Sequence, residues 1–334
     1  MIIINSYSTA VFLCIITMIC WGSWANTMKL TGKNWLFQLY YWDYSLGVLV
    51  FALLFAFTLG SFGSHGRPFL ADVAQAETRS ILYAIASGAV FNLANVLLVA
   101  VIDFAGMAIA FPIGIGLALV LGVIFGYIAQ PVGNPVLIFA GLACVVLAII
   151  LDGIAYSKIP SEGQKSKSKG IILSVLTGIF MGFFYPILVS SISTNWIDPE
   201  PGKLTPYTAI VFFALGLLVS SFVWNYYFMR KPLSGPAVRF ADYFTKGNAR
   251  IHFVGLLGGI IWCTGFALMT LSGDKAGPAI SYGLGQGATM VAVFWGVFVW
   301  REFKTAPKET NRLLATMFFF YLLGLTLLIV AKVR

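Results

Sequence analysis

Asp43 sits in the run YYWDYSLGV, about eight residues and roughly 12 Å of helix past Trp35, among apolar and aromatic side chains. An acid in that setting is costly to ionise, so it suits a carboxyl that takes up a proton and gives it back as its surroundings change. The alternative is a helix that starts later and leaves Asp43 wet at the headgroups. Asn92 and Asn95 are three residues apart, on one helical face with Gly88 a turn earlier. Their amides each offer two donors and an acceptor, which suits a hydroxyl or urea-like group and equally a hydrogen bond between helices. Asn26, at the end of a Trp21/Trp24 stripe, carries the same two readings. Gln286 lies among glycines that leave room for a bound molecule. Trp21, Trp24, Tyr185, Trp262 and Tyr282 offer rings on which a sugar's C–H face or a flat heterocycle stacks, although such rings more often serve packing.

The other polar residues suggest less. Lys29 either pairs with Asp43 or reaches toward the cytoplasmic interface. Asp103, Asp152 and Asp274 fall at span ends, where solvated corners account for them. His65 lies in a loop and His252 opens an apolar run, neither with a visible partner. Cys14, Cys20, Cys144 and Cys263 all lie inside apolar runs. There is no metal-ligand spacing, nucleophile elbow or phosphate loop, so the sequence predicts no catalytic residue, no metal site and no cofactor.

The elements that hold these residues follow from composition. Hydrophobic residues make up 59% of the 334, charged residues 10%, and the mean hydropathy is +0.90. A water-soluble surface needs roughly 25% charged residues, so most of this chain must meet lipid. A soluble enzyme, a disordered regulator and a secreted disulfide scaffold are thereby excluded. The net charge of +9 resides in short loops without solvent-facing aromatics, which argues against a nucleic-acid partner.

Ten apolar runs are long enough to cross a bilayer as helices, at about 8–28, 36–59, 80–101, 104–127, 135–154, 170–191, 206–228, 251–272, 276–300 and 313–331. They are apolar all round, unlike barrel strands. The first lacks a basic leader and reads as a retained span. Odd-numbered connections carry 15 of the 21 lysines and arginines, so the positive-inside rule places them in the cytoplasm and both termini outside the cell membrane.

The sequence also repeats. A shift of 171 residues lays AGMAIAFPIGIG (105–116) on AGPAISYGLGQG (276–287) and pairs Gly88 with Gly259 and Asp103 with Asp274. A weaker match at shift 160 pairs Thr17, Ile19 and Gly22 with Thr177, Ile179 and Gly182. The predicted architecture is an all-α polytopic membrane protein of ten transmembrane helices in two five-helix repeats, 1–156 and 170–334, joined by a polar cytoplasmic linker at 157–169. Five spans is an odd number, so the second repeat must lie inverted, an arrangement typical of alternating-access transporters. Glycines four apart at 122/126, 178/182, 255/259 and 283/287 mark close helix contacts, and Pro112, Pro186 and Pro278 interrupt helical hydrogen bonds.

WGSWANTMK (21–29), YYWDYSLGV (40–48) and the AFPIGIG and SYGLGQG turns resemble the drug/metabolite transporter superfamily, in the branch of glucose/ribose porters, rhamnose–proton symporters and ureide permeases. The resemblance implies secondary active transport, mostly proton-coupled import of sugars or heterocyclic nitrogen compounds. The Walker-A-like sequence known from the central loop of ureide permeases has no counterpart in SKIPSEGQKSKSKG. The expected partners are a small neutral solute, protons and the lipid bilayer, for a monomer or homodimer. An exporter of drugs or metabolites is the alternative. A membrane-embedded enzyme would need clustered His and carboxylates, and a cation channel rings of acids; neither is present.

Overall fold

The computed structural model describes residues 1–32, 34–106, 109–159, 167–233 and 235–332. Most of the predicted linker, residues 160–166, lies outside them, as do residues 107–108 of the repeated turn and the side chain of Asp103. Within an apolar run, a helix is the conformation that satisfies every backbone group internally. Ten helices among the described residues are long and apolar enough to cross a membrane: Tyr7–Leu30, Phe37–Phe57, Thr78–Ile102, Ala110–Ala129, Pro135–Ser157, Lys169–Val189, Pro206–Arg230, Ala249–Ala276, Pro278–Val299 and Thr310–Val330. They are numbered here as spans one to ten.

The two largest boundary differences from the sequence reading lie in spans four and eight. Span four begins at Ala110 instead of 104, because the helix of span three runs on to Ala105 and ends at Gly106 with φ at 81°. Pro112 then falls in a π-helical turn, Ala110–Ile115, the local form that absorbs its missing N–H. Span eight likewise extends to Ala276 and ends at Gly277, with φ at 83°.

The shift of 171 residues found in the sequence recurs in the geometry. The helices Thr78–Ala105 and Ala249–Ala276 are both 28 residues long and begin and end at matched positions. Gly106 N–H donates to Ile102 and Gly277 N–H to Gly273, again matched, and both glycines hold a left-handed conformation that an L side chain rarely adopts. Thr17 and Thr177, matched at shift 160, each turn their hydroxyl back onto the carbonyl four residues earlier, Leu13 and Leu173.

Glycine contacts pair the spans closely. A Cβ on Gly88 would lie 2.0 Å from the Phe213 carbonyl oxygen, and one on Gly216 would lie 2.1 Å from that of Ile85, so spans three and seven touch backbone to backbone. Spans two and eight do the same: Gly259 meets the Tyr44 carbonyl at 2.0 Å and Gly47 that of Leu256 at 2.1 Å. Spans three and six, one and eight, and five and ten also pack along their lengths. Every one of these pairs maps onto another, or onto itself, when each span is exchanged for the one five places away.

Candidate functional site

Two hollows lie between the spans. The first has a volume of about 280 Å³ and is reached from the odd-numbered connections, past Met28 and Phe37 on one side and Ile102 and Phe111 on the other. Trp21, Trp24, Phe91, Phe184 and Trp262 wall it, and Asn95, Gln286 and Thr289 are its polar groups. Among the described residues no charged side chain lines it. The second hollow, about 320 Å³, opens among the even-numbered connections and is lined by Ser190, Ser193, Glu200, Lys203, Asp274 and Tyr185. Stacked rings separate the two. Tyr185 and Tyr282 lie 5.7 Å apart at 15°, and Phe184 packs on Tyr282 at 6.3 Å. The first cavity is therefore open to one face and closed to the other.

Its wall is set by local structure. Trp21 stacks on Trp262 at 5.9 Å and 12°, and its indole N–H donates to the Trp262 carbonyl at 3.2 Å, so spans one and eight fix both rings. Phe91 packs on the other side of Trp262 at 4.4 Å, and Trp24 rests on Tyr44 at 4.9 Å. Span nine is broken beside the cavity: one helix ends at Gly285 and the next starts at Ala288. Gln286 occupies the break, and the Thr289 hydroxyl takes up its carbonyl at 3.0 Å. Interrupted helices of this kind are tolerated where they line a cavity. Asn95 presents its amide from span three, anchored by donation to the Tyr41 hydroxyl at 3.2 Å.

Five of the nine predicted solute contacts therefore meet in one place: Trp21, Trp24, Asn95, Trp262 and Gln286. Four do not. Asn92, one turn from Asn95, faces span seven and donates to the Leu217 carbonyl at 3.1 Å and the Ser220 hydroxyl at 2.7 Å, which is the interhelical role. Asn26 accepts from the Trp300 indole at 2.6 Å and binds Ser23, away from the cavity. Tyr185 borders the opposite hollow, and Tyr282 is buried between the two with its hydroxyl on the Met181 carbonyl.

Asp43 is 1% exposed, six residues into span two, so it is not wet at the headgroups. It is not on the cavity wall either. Gly255 opens the space it fills, since a Cβ there would lie 2.4 Å from that of Asp43. Two partners hold its carboxylate. His252 Nδ1 lies 3.0 Å from both oxygens, and the Tyr243 hydroxyl donates to one of them. Tyr243 belongs to a short helix, Phe240–Lys246, in the seventh connection. Burial, and then the neighbouring Asp43, push its phenol above the usual range and keep it a donor.

Two sequence expectations are corrected, for His252 and Asp152. His252 has a partner, because span eight begins two residues early, at Ala249, and places this ring against Asp43 of span two. Of the two readings of Lys29, pairing with Asp43 is not seen: Lys29 reaches outward and pairs with Glu302 at 2.6 Å. Asp152 is not at a solvated corner: the fifth span continues to Ser157, and the residue is 0% exposed. Asp274 does fit a corner, beside Lys275 at 2.8 Å. The early start of span eight behind Asn248, whose side chain caps it, was the available signal for His252. Among the described residues no cluster of His, Cys, Asp and Glu is built to hold a metal ion.

The family model described as ureide permease matches residues 40–167 and 159–331. The chain is similar to Ureide permease 1 of Arabidopsis thaliana, at 23% identity over 99% of each chain, and to Ureide permease 5 of the same plant, at 23% over 98% and 95%. It is also similar to the glucose uptake protein GlcU of Bacillus subtilis, at 25% identity over 76% of this chain and 78% of the relative.

Proposed function

The chain belongs to the ureide permease family, and from that premise we propose that it imports a small neutral solute, a sugar or a ureide or nucleobase, together with protons. It is a multi-pass membrane protein and a transporter of small solutes, not an enzyme. The relatives are named for ureides and for glucose, and both classes suit the same binding surface.

One observation carries the reading: a closed-ended cavity with aromatic walls, two amides and, among the described residues, no charge. A neutral ring or sugar stacks on Trp21 and Trp262 and exchanges hydrogen bonds with Asn95 and Gln286. A charged solute would enter without a counter-charge, at a desolvation cost that nothing in the wall offsets. The ninth span is interrupted at the cavity, as discontinuous helices are in other transporters.

Asp43, in this reading, carries the coupling proton. It lies one turn from Tyr40 and beside Tyr44, whose ring touches Trp24 of the cavity wall. Loading the cavity moves that wall and so alters the surroundings of the carboxyl. The halves 1–156 and 170–334 act as inverted repeats that rock about the cavity, with the odd connections cytoplasmic. The matched helix ends at Gly106 and Gly277 and the matched glycine contacts support this reading.

Proteoliposomes with an imposed proton gradient provide the test, with labelled glucose, ribose, rhamnose, allantoin and uracil as the panel. We expect one class to accumulate and a protonophore to abolish the accumulation. Accumulation that persists with the protonophore contradicts proton coupling, and net efflux down the same gradient contradicts import.

A further inference from the structure

Asp152 is a buried acid that the account above does not use. None of its surface is exposed, and neither carboxylate oxygen has a hydrogen-bond partner. Other buried carboxylates in the chain are compensated: Asp43 by His252 and Tyr243, Asp72 by Arg67 at 2.9 Å and by the Thr205 N–H at 2.7 Å.

The groups around Asp152 supply no such compensation. Its charged and titratable neighbours are Tyr156 on the next turn of span five, Tyr321 from span ten and Glu302 from the ninth connection. The turn Ala110–Ile115, which also packs on span five, brings no titratable side chain. Tyr282 of span nine is engaged with Met181. The Tyr156 hydroxyl donates to Glu302 at 3.3 Å, and the Tyr321 hydroxyl shares a 2.6 Å hydrogen bond with Thr289. Lys29, the nearby cation, is paired with Glu302. Among the described residues an ionised carboxylate here would find neither donor nor counter-charge, and a metal cation would lack the ring of oxygens it requires.

We propose that Asp152 is a second proton-binding site, separate from Asp43 and loaded in this conformation. The proton bonds to one carboxyl oxygen and leaves by the same bond, with no other chemistry. Two hydrogen-bonded groups lie beside it, neither bonded to the carboxyl in this conformation. Tyr156, Glu302 and Lys29 form a chain to the odd-connection surface, where the Lys29 side chain is exposed, so parting of the Lys29–Glu302 pair admits water to the acid. Tyr321 and Thr289 lead the other way, because Thr289 lines the solute cavity. Only the link to solute rests on the transport reading; the bound proton does not.

Infrared difference spectroscopy of the full chain in lipid nanodiscs at neutral pH, without solute, tests this. We expect a protonated-carboxyl band that Asp152→Asn removes and Asp43→Asn leaves in place. Asparagine has the size of the neutral acid, so Asp152→Asn should keep the wild-type melting temperature. A marked fall in melting temperature, or a spectrum in which Asp152→Asn removes no such band, overturns the proposal. Glu302→Gln provides a second arm: the same band should exchange faster in deuterated buffer, and an unchanged exchange rate overturns the Glu302 route. Failure of every solute in the transport panel would leave these spectra unaffected, so the two readings fail separately.

Discussion

His252 Nδ1 lies 3.0 Å from both carboxylate oxygens of Asp43, on a contact that joins the first turn of span eight to the second turn of span two. Tyr243 closes over the same carboxylate from outside the bundle. The His252–Asp43 contact joins two helices that both contribute to the cavity wall, span two through Phe37 and span eight through Trp262.

Asp43→Asn should remove uphill accumulation while leaving exchange of solute between the two sides, because the amide cannot cycle a proton but fills the same space. Counterflow and gradient-driven uptake, measured on the same proteoliposomes, separate the two. Normal uphill uptake in the mutant would end the assignment of Asp43.

The two asparagines of span three should behave differently despite their shared turn. Asn95→Leu removes a cavity group together with its bond to Tyr41, so solute affinity in the folded fraction should fall by about 1 kcal/mol, or roughly fivefold, alongside some loss of stability. Asn92→Leu removes hydrogen bonds to span seven, so it should lower stability by about 1 kcal/mol with affinity retained in the folded fraction. Binding isotherms and thermal melts of both variants check this; equal loss of affinity in both would contradict the placement of Asn92.

Gly88→Ala and Gly259→Ala should be destabilising to a similar degree. In each case the new Cβ meets a backbone carbonyl of the facing span at 2.0 Å, which cannot move aside as a side chain would. Overpacking of this kind costs about 1–3 kcal/mol. Melting temperatures of the two variants should fall together, and a fall in only one would show that the two contacts are not equivalent.

The spans were readable because lipid imposes a strict rule: an apolar run of sufficient length must be a helix. The repeat was readable for a related reason, since Gly106 and Gly277 each occupy a conformation that excludes other residues, and that keeps the sequence at both places alike. Burial of Asp43 was legible from its aromatic neighbours. Its partners were not. His252 and Asp43 are more than 200 residues apart, and no local pattern says which face of span eight meets span two. The same gap explains Asn92 and Asn95: both belong to one helical face, and only the rotation of span three against span seven decides which of them reaches the cavity. Asp152 was misplaced because the apolar count ends span five early, whereas the helix runs on through Ser157 beneath the ninth connection.

Reciprocal access to the two hollows tests the central claim most directly. After replacement of the native cysteines by serine, Ala292→Cys reports on the solute cavity and Ser190→Cys on the opposite hollow. A membrane-impermeant thiol reagent should reach position 292 from the odd-connection face and position 190 from the other. Solute together with a proton gradient should then slow labelling at one position as it speeds labelling at the other. Labelling that rises or falls at both positions together, or that enters both from the same face, would contradict alternating access.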